Sequence, residues 1–92
     1  MIKEPPDELD GTKVLYWAWS GDEPFFVMPF TDDSGGIEIF GLAVCKYDNG
    51  ATYRFSCNAS WEVENDTDYD TVNQALVLSA QYGITKVDWH KK

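Results

Sequence analysis

The chain has 92 residues, a formal net charge of −9 from sixteen Asp/Glu against seven Lys/Arg, and 15% aromatic residues. That length makes one domain with a small core, which four Trp, five Tyr and five Phe fill with bulk rather than number. The acidic balance argues against direct binding to a phosphate backbone, and favours a basic protein or a metal ion as partner. Its plainer role is to keep an aromatic-rich domain in solution.

Residues 1–11 read as a flexible N-terminal arm, because Pro5-Pro6 and a run of charges pack poorly. Neither a signal peptide nor an apolar run of about 20 residues is present, so a cytoplasmic protein with no membrane contact is expected. Residues 12–92 form the single domain. Lys13 to Trp19 is its first strand, apolar on both parities and therefore central. Ser20 to Pro24 is a turn, and Phe25 to Phe30 is a second strand that Pro29 places at an edge. An acidic, Gly-rich loop follows to Gly36, and Ile37 to Tyr47 is the third strand.

Asp48-Asn49-Gly50 signals a hairpin. A two-residue loop would set Cys45 opposite Arg54, and a three-residue loop would set it opposite Tyr53. Neither register brings Cys45 and Cys57 within disulfide reach, so two free thiols are expected. The fourth strand, Ala51 to Glu64, alternates without a break: Tyr53, Phe55, Cys57, Ala59, Trp61 and Val63 on one parity, polar residues on the other. This predicts one buried and one wet face. Its length, over about 40 Å at ~3.3 Å per residue, predicts a bend or bulge near Asn58 or Ala59.

A helix is expected from Thr67, where Thr67-Asp68-Tyr69-Asp70 fits a capping pattern. Tyr69, Val72, Leu76, Ser79 and Ala80 make its apolar face, and Gly83 ends it. Ile84 to His90 is a last strand, with Val87 and Trp89 inward and His90 outward. The predicted fold is α+β: an antiparallel sheet of four to five strands (β-β-β-β-α-β) with one helix packed on one face. Such a sheet has more apolar surface than one helix hides. Curvature and the arm, or another chain, must cover the surplus.

Chemistry is scarce. His90 has nothing around it to tune it as a base, so it reads as a solvated terminus. No metal-ligand spacing or cofactor motif is present. Asp66, Asp68 and Asp70 resemble the start of a calcium loop, but Thr71 and Val77 stand where that loop needs Gly and Glu. Paired carboxylates for glycoside hydrolysis lack a cleft. The two N-x-[ST] sequons, at Asn58 and Asn65, read as chance without a secretion signal.

Two features point to binding rather than catalysis. Glu62, Glu64, Asp66, Asp68 and Asp70 recur every second residue with no basic residue among them, as an acidic ridge for a basic partner; more plainly, the three Asp residues cap a helix, with Glu62 and Glu64 too far back to contribute. Trp17 and Trp19 share a strand face, as core or as anchors for a protein or a sugar. The chain thus resembles, in composition, small stoichiometric inhibitors such as toxin-immunity proteins and inhibitors of nucleases. The expectation is a non-enzymatic acidic domain engaging a basic nuclease or nucleic-acid-binding protein, with no cofactor. A small-molecule or saccharide binder using Trp17 and Trp19 is the alternative, and a homodimer a third reading.

Overall fold

The structure, a computed structural model, describes residues 3–29, 35–77 and 87–92. Its strands are β1 (Glu8–Leu9), β2 (Thr12–Trp19), β3 (Phe26–Pro29), β4 (Gly36–Ile39), β5 (Gly41–Lys46), β6 (Thr52–Cys57), β7 (Val63–Tyr69) and β8 (His90–Lys91). The one described helix is α1 (Val72–Val77). The main sheet runs β1-β2-β5-β6-β7, all antiparallel, and β8 pairs with β2 on the side away from β5. β3 and β4 form a separate two-stranded sheet.

β2 is internal, as its double apolar parity predicts. The register then sorts the side chains into two faces. Val14, Cys45, Tyr53 and Asp68 form one cross-strand row, and Trp17, Ala43, Phe55 and Asp66 the next. These rows carry the main core, where Val14, Trp17, Ala43, Cys45, Phe55 and Cys57 are all buried. On the opposite face, Ala18, Leu42 and Ile39 pack with Phe25, Phe26, Met28, Val87 and Trp89. Each large apolar side chain so buried contributes about 1.5–3 kcal/mol.

Several sequence expectations are corrected. The third strand is two strands: the chain breaks at Phe40, so β4 pairs with β3 and β5 with β2. The fourth strand is also two, because the chain reverses over residues 58–62 rather than bending, and Cys57 pairs with Val63. Nor is its polar parity wet: Thr52, Arg54 and Ser56 are all buried, Arg54 fully. The helix does not start at Thr67, since Thr67, Asp68 and Tyr69 belong to β7. Thr71 caps it instead, its hydroxyl accepting from Gln74 N–H while the Gln74 side chain accepts from Asp70 N–H.

The architecture is dominated by its sheet. α1 contacts β5, β6 and β7 and buries Ala75. Its 6 residues span only about 9 Å, less than half the width of five strands at ~4.8 Å spacing. The expected helical layer over one face is thus present only as this short piece among the described residues. Ser79, Ala80, Gly83 and the expected strand from Ile84 to Lys86 lie outside them. His90 is half-buried rather than freely solvated: its ring lies 4.5 Å from that of Trp17, tilted by 30°. The Asp48–Gly50 loop has three residues, with Gly50 at φ 91° and Cys45 opposite Tyr53.

Both faces of the sheet are covered by the chain itself. β-Bulges between Val14 and Tyr16 and between Ser56 and Cys57 curl the strands. The N-terminal residues cross the aromatic face: Pro5 and Leu9 are buried, and the Trp61 indole donates to Lys3 O at 3.2 Å. Lys3 Nζ sits 5.7 Å from the Trp19 ring centre.

Gly41 marks a close contact in this arrangement. A Cβ there would lie 2.5 Å from Trp61 Cζ3, well inside contact distance. Gly41→Ala is therefore expected to destabilise the protein by about 1–3 kcal/mol in urea titration, through displacement of the Trp61 ring. An unchanged midpoint would show that the ring is not seated on Gly41.

Candidate functional site

β7 is the last strand of the main sheet, and the predicted acidic residues lie along it. Asp66 and Asp68 are exposed and sit on its aromatic-core face, at the ends of the rows that hold Trp17 and Val14. Glu62 is exposed and Glu64 half-buried at its start, and exposed Asp70 follows its end. The bulge between Val63 and Asn65 divides these carboxylates: Asp66 and Asp68 share the core face, whereas Glu62 precedes the bulge beside core-facing Val63 and is off that face. Directly opposite on β6 stand Phe55 and Tyr53, not cations. Neighbouring carboxylates two residues apart, at about 7 Å, lie within a Debye length at 0.1 M salt, so they repel one another.

Asn58 organises the start of the ridge. Its side-chain oxygen accepts from Ser60 N–H at 2.8 Å and from Glu62 N–H at 3.0 Å. Its side-chain nitrogen donates to Glu62 Oε1 at 3.0 Å and Glu64 Oε2 at 2.8 Å. Asn58 therefore closes the 58–62 turn and holds two carboxylates together. Trp61 adopts φ 60° within that turn.

The predicted aromatic anchors divide. Trp17 is 5% exposed and belongs to the core, with Trp61 edge-on at 6.4 Å and His90 against its face. Trp19 is half-buried, between Phe40 at 5.8 Å and Trp61 at 5.6 Å. The structure does not place either next to Asp66 and Asp68. Two residues the sequence reading left aside do lie there. Tyr53 is the cross-strand partner of Asp68, and Tyr47 packs edge-on against it at 5.4 Å. Both are half-buried. Pairing of Asp68 with Tyr53 depends on the bulge in β6–β7, which no residue pattern announces.

Arg54 was also missed. It is fully buried on the other face, its guanidinium carbon 5.6 Å from the Tyr69 ring centre. Alternation alone assigned it to solvent.

Cys45 and Cys57 are free and buried. Burial pushes the Cys45 thiol up to about 11, against a smaller opposing hydrogen bond with Thr12. Burial likewise pushes Cys57 up to about 12, with Cys45, Asp10 and Glu64 adding to the shift. A protonated thiol is neither a nucleophile nor a metal ligand. Among the described residues, no three carboxylate, thiol or imidazole groups converge on a cation site. Nor is any described helix long and apolar enough to cross a membrane.

No family model, curated protein or solved structure matches this chain. The site is therefore read from its own geometry.

Two outcomes test that geometry. The folded thiols ionise at higher pH than an unfolded thiol near 9.0, so the stability they confer is full below about pH 9. It is lost as pH rises through about 11 to 12. Urea midpoints should fall above pH 9, less steeply in Cys57→Ala; identical slopes would contradict the assignment. Asn58→Asp removes both donated hydrogen bonds and adds a third carboxylate. It should cost about 1–3 kcal/mol at pH 7 and less near pH 4, where carboxylates take up protons. A cost independent of pH would exclude repulsion as its cause.

Proposed function

We propose that this is a non-enzymatic protein-binding domain of the cytoplasm whose β7 ridge engages a basic partner, in the manner of a stoichiometric inhibitor or immunity-type protein. Nucleases and nucleic-acid-binding proteins have the surface this ridge fits. The ridge comprises Glu62, Glu64, Asp66, Asp68 and Asp70, with Tyr53 and Tyr47 as the adjoining apolar ground. In this reading α1 is the second layer of a small α+β unit and supports the sheet from the face away from Asp66 and Asp68.

One observation carries the reading. Asp66 and Asp68 are exposed side by side on one face of β7, with no cation opposite them on β6. Their mutual repulsion is a standing cost that a cationic surface removes, so binding is favoured without any rearrangement of the strand. Asn58 fixes Glu62 and Glu64 before binding, which lowers the entropy lost on association. Electrostatic steering then raises the association rate, while half-buried Tyr53 and Tyr47 supply contact area.

The test uses tagged protein in affinity purification from its host, with Asp66→Lys/Asp68→Lys as the control. Both positions are exposed, so the fold should be kept. A stoichiometric basic protein should be captured at about 50 mM salt, lost at about 300 mM, and absent with the double variant. A partner held equally by the variant at high salt would contradict the proposal.

A further inference from the structure

Three lysines come together on the outer side of β2. On the side of β2 away from β5, β1 pairs with Thr12 and Lys13, and β8 with Tyr16 and Trp17. The bulge at Leu15 falls between them, where the Leu15 carbonyl accepts from Lys92 N–H at 2.9 Å. Beside this gap lies a cavity of about 360 Å³, which falls in the size range of small-molecule sites. Half-buried Leu15, Tyr16 and Val72 form its apolar walls, and Lys13, Lys91 and Lys92 its polar rim. No Asp or Glu side chain among the described residues lines it. The acidic residues of this end of the fold, Asp7, Glu8 and Asp48, line the neighbouring cavity instead.

The three ammonium groups differ in what they already hold. Lys92 Nζ is committed to Glu4 at 2.9 Å and Asp7 at 3.2 Å, and donates to Pro5 O at 2.8 Å. Lys13 and Lys91 are exposed and make no ion pair with any described residue. Lys13 has Glu8 on one neighbouring strand and a like charge, Lys46, on the other.

We infer that this cavity binds a small amphipathic carboxylate, its charged head between Lys13 and Lys91 and its apolar body against Leu15, Tyr16 and Val72. Three features select this class. The uncommitted charge is positive, the walls are apolar, and the volume suits a medium-length chain or a single ring. Asp66 and Asp68 of the ridge are separated from the lysines of β2 by β5 and β6, and only Asp70, two residues before Val72, comes near this cavity in sequence. The cavity site therefore stands or falls independently of the protein-binding function.

The test is a titration of the full chain, followed by backbone amide chemical shifts, with octanoate as probe and octan-1-ol as its uncharged counterpart. Octanoate should give saturable shifts centred on residues 13–16, 72 and 91–92, and should bind at least about tenfold more tightly than the alcohol. Lys13→Gln/Lys91→Gln should lose at least about tenfold in octanoate affinity and leave octan-1-ol binding unchanged. Both lysines are exposed, so the variant's undisturbed spectrum serves as the folding control, and each single variant gives the same comparison. Three results would overturn the inference: no saturable shift at these residues, equal affinity for acid and alcohol, or a double variant that binds octanoate as the parent does.

Discussion

The Trp61 ring resting on Gly41 is the contact on which the rest of the structure depends. Holding a bulky residue at φ 60° costs on the order of 1–3 kcal/mol. Burying an indole returns more, since truncating a buried Trp costs about 3–5 kcal/mol. The ring so placed joins four parts of the chain. It closes the turn that Asn58 organises, and it packs on the corner where β4 gives way to β5. It also meets Trp17 and Trp19 of β2 and anchors the N-terminal residues through Lys3. The curled sheet is held as one body by these joints rather than by a helix laid over it.

That packing decides what is left for function. A sheet with apolar residues on both faces needs cover, and here the cover comes from the N-terminal residues, the Trp61 turn and the β3–β4 hairpin. Trp17 is consumed by it. The surfaces that remain are charged and segregated by strand: carboxylates along β7, and lysines around the gap in the outer side of β2. With two strands between them, the two fields neutralise each other little across about a Debye length of solvent. Trp17 and Trp61 of this acidic chain serve to hold its shape.

Much of the sheet was legible in the residues. The double apolar parity of Lys13–Trp19 marked an internal strand, and Asp48-Asn49-Gly50 marked a hairpin. The reversal after Cys57 was not legible, for a definite reason. Cys57 and Val63 are opposite each other across the turn, so odd positions face odd positions, as they would along one unbroken strand. Alternation survives the reversal and hides it. The following bulge then shifts the register, which carries even-numbered Asp66 and Asp68 onto the core face. The ridge itself was visible as a spacing of two, yet its place on a strand rather than a helix cap follows from Thr71 and Gln74 taking the capping role. Asn58 looked like a bend or a chance sequon. Its four hydrogen bonds exist only because the turn brings residues 60, 62 and 64 around it.

The most direct test of this account is hydrogen exchange at the tryptophan indoles. The Trp61 N–H is bonded to Lys3 O, so its exchange reports whether the N-terminal residues close the aromatic face. The account predicts slow exchange at Trp61, comparable with that of Trp89, whose indole donates to Leu76 O. It further predicts that deleting residues 1–6 speeds Trp61 alone. Exchange at Trp61 as fast as in a free indole would mean that the face is open, and that its apolar surface, rather than the charge on β7, is what a partner meets.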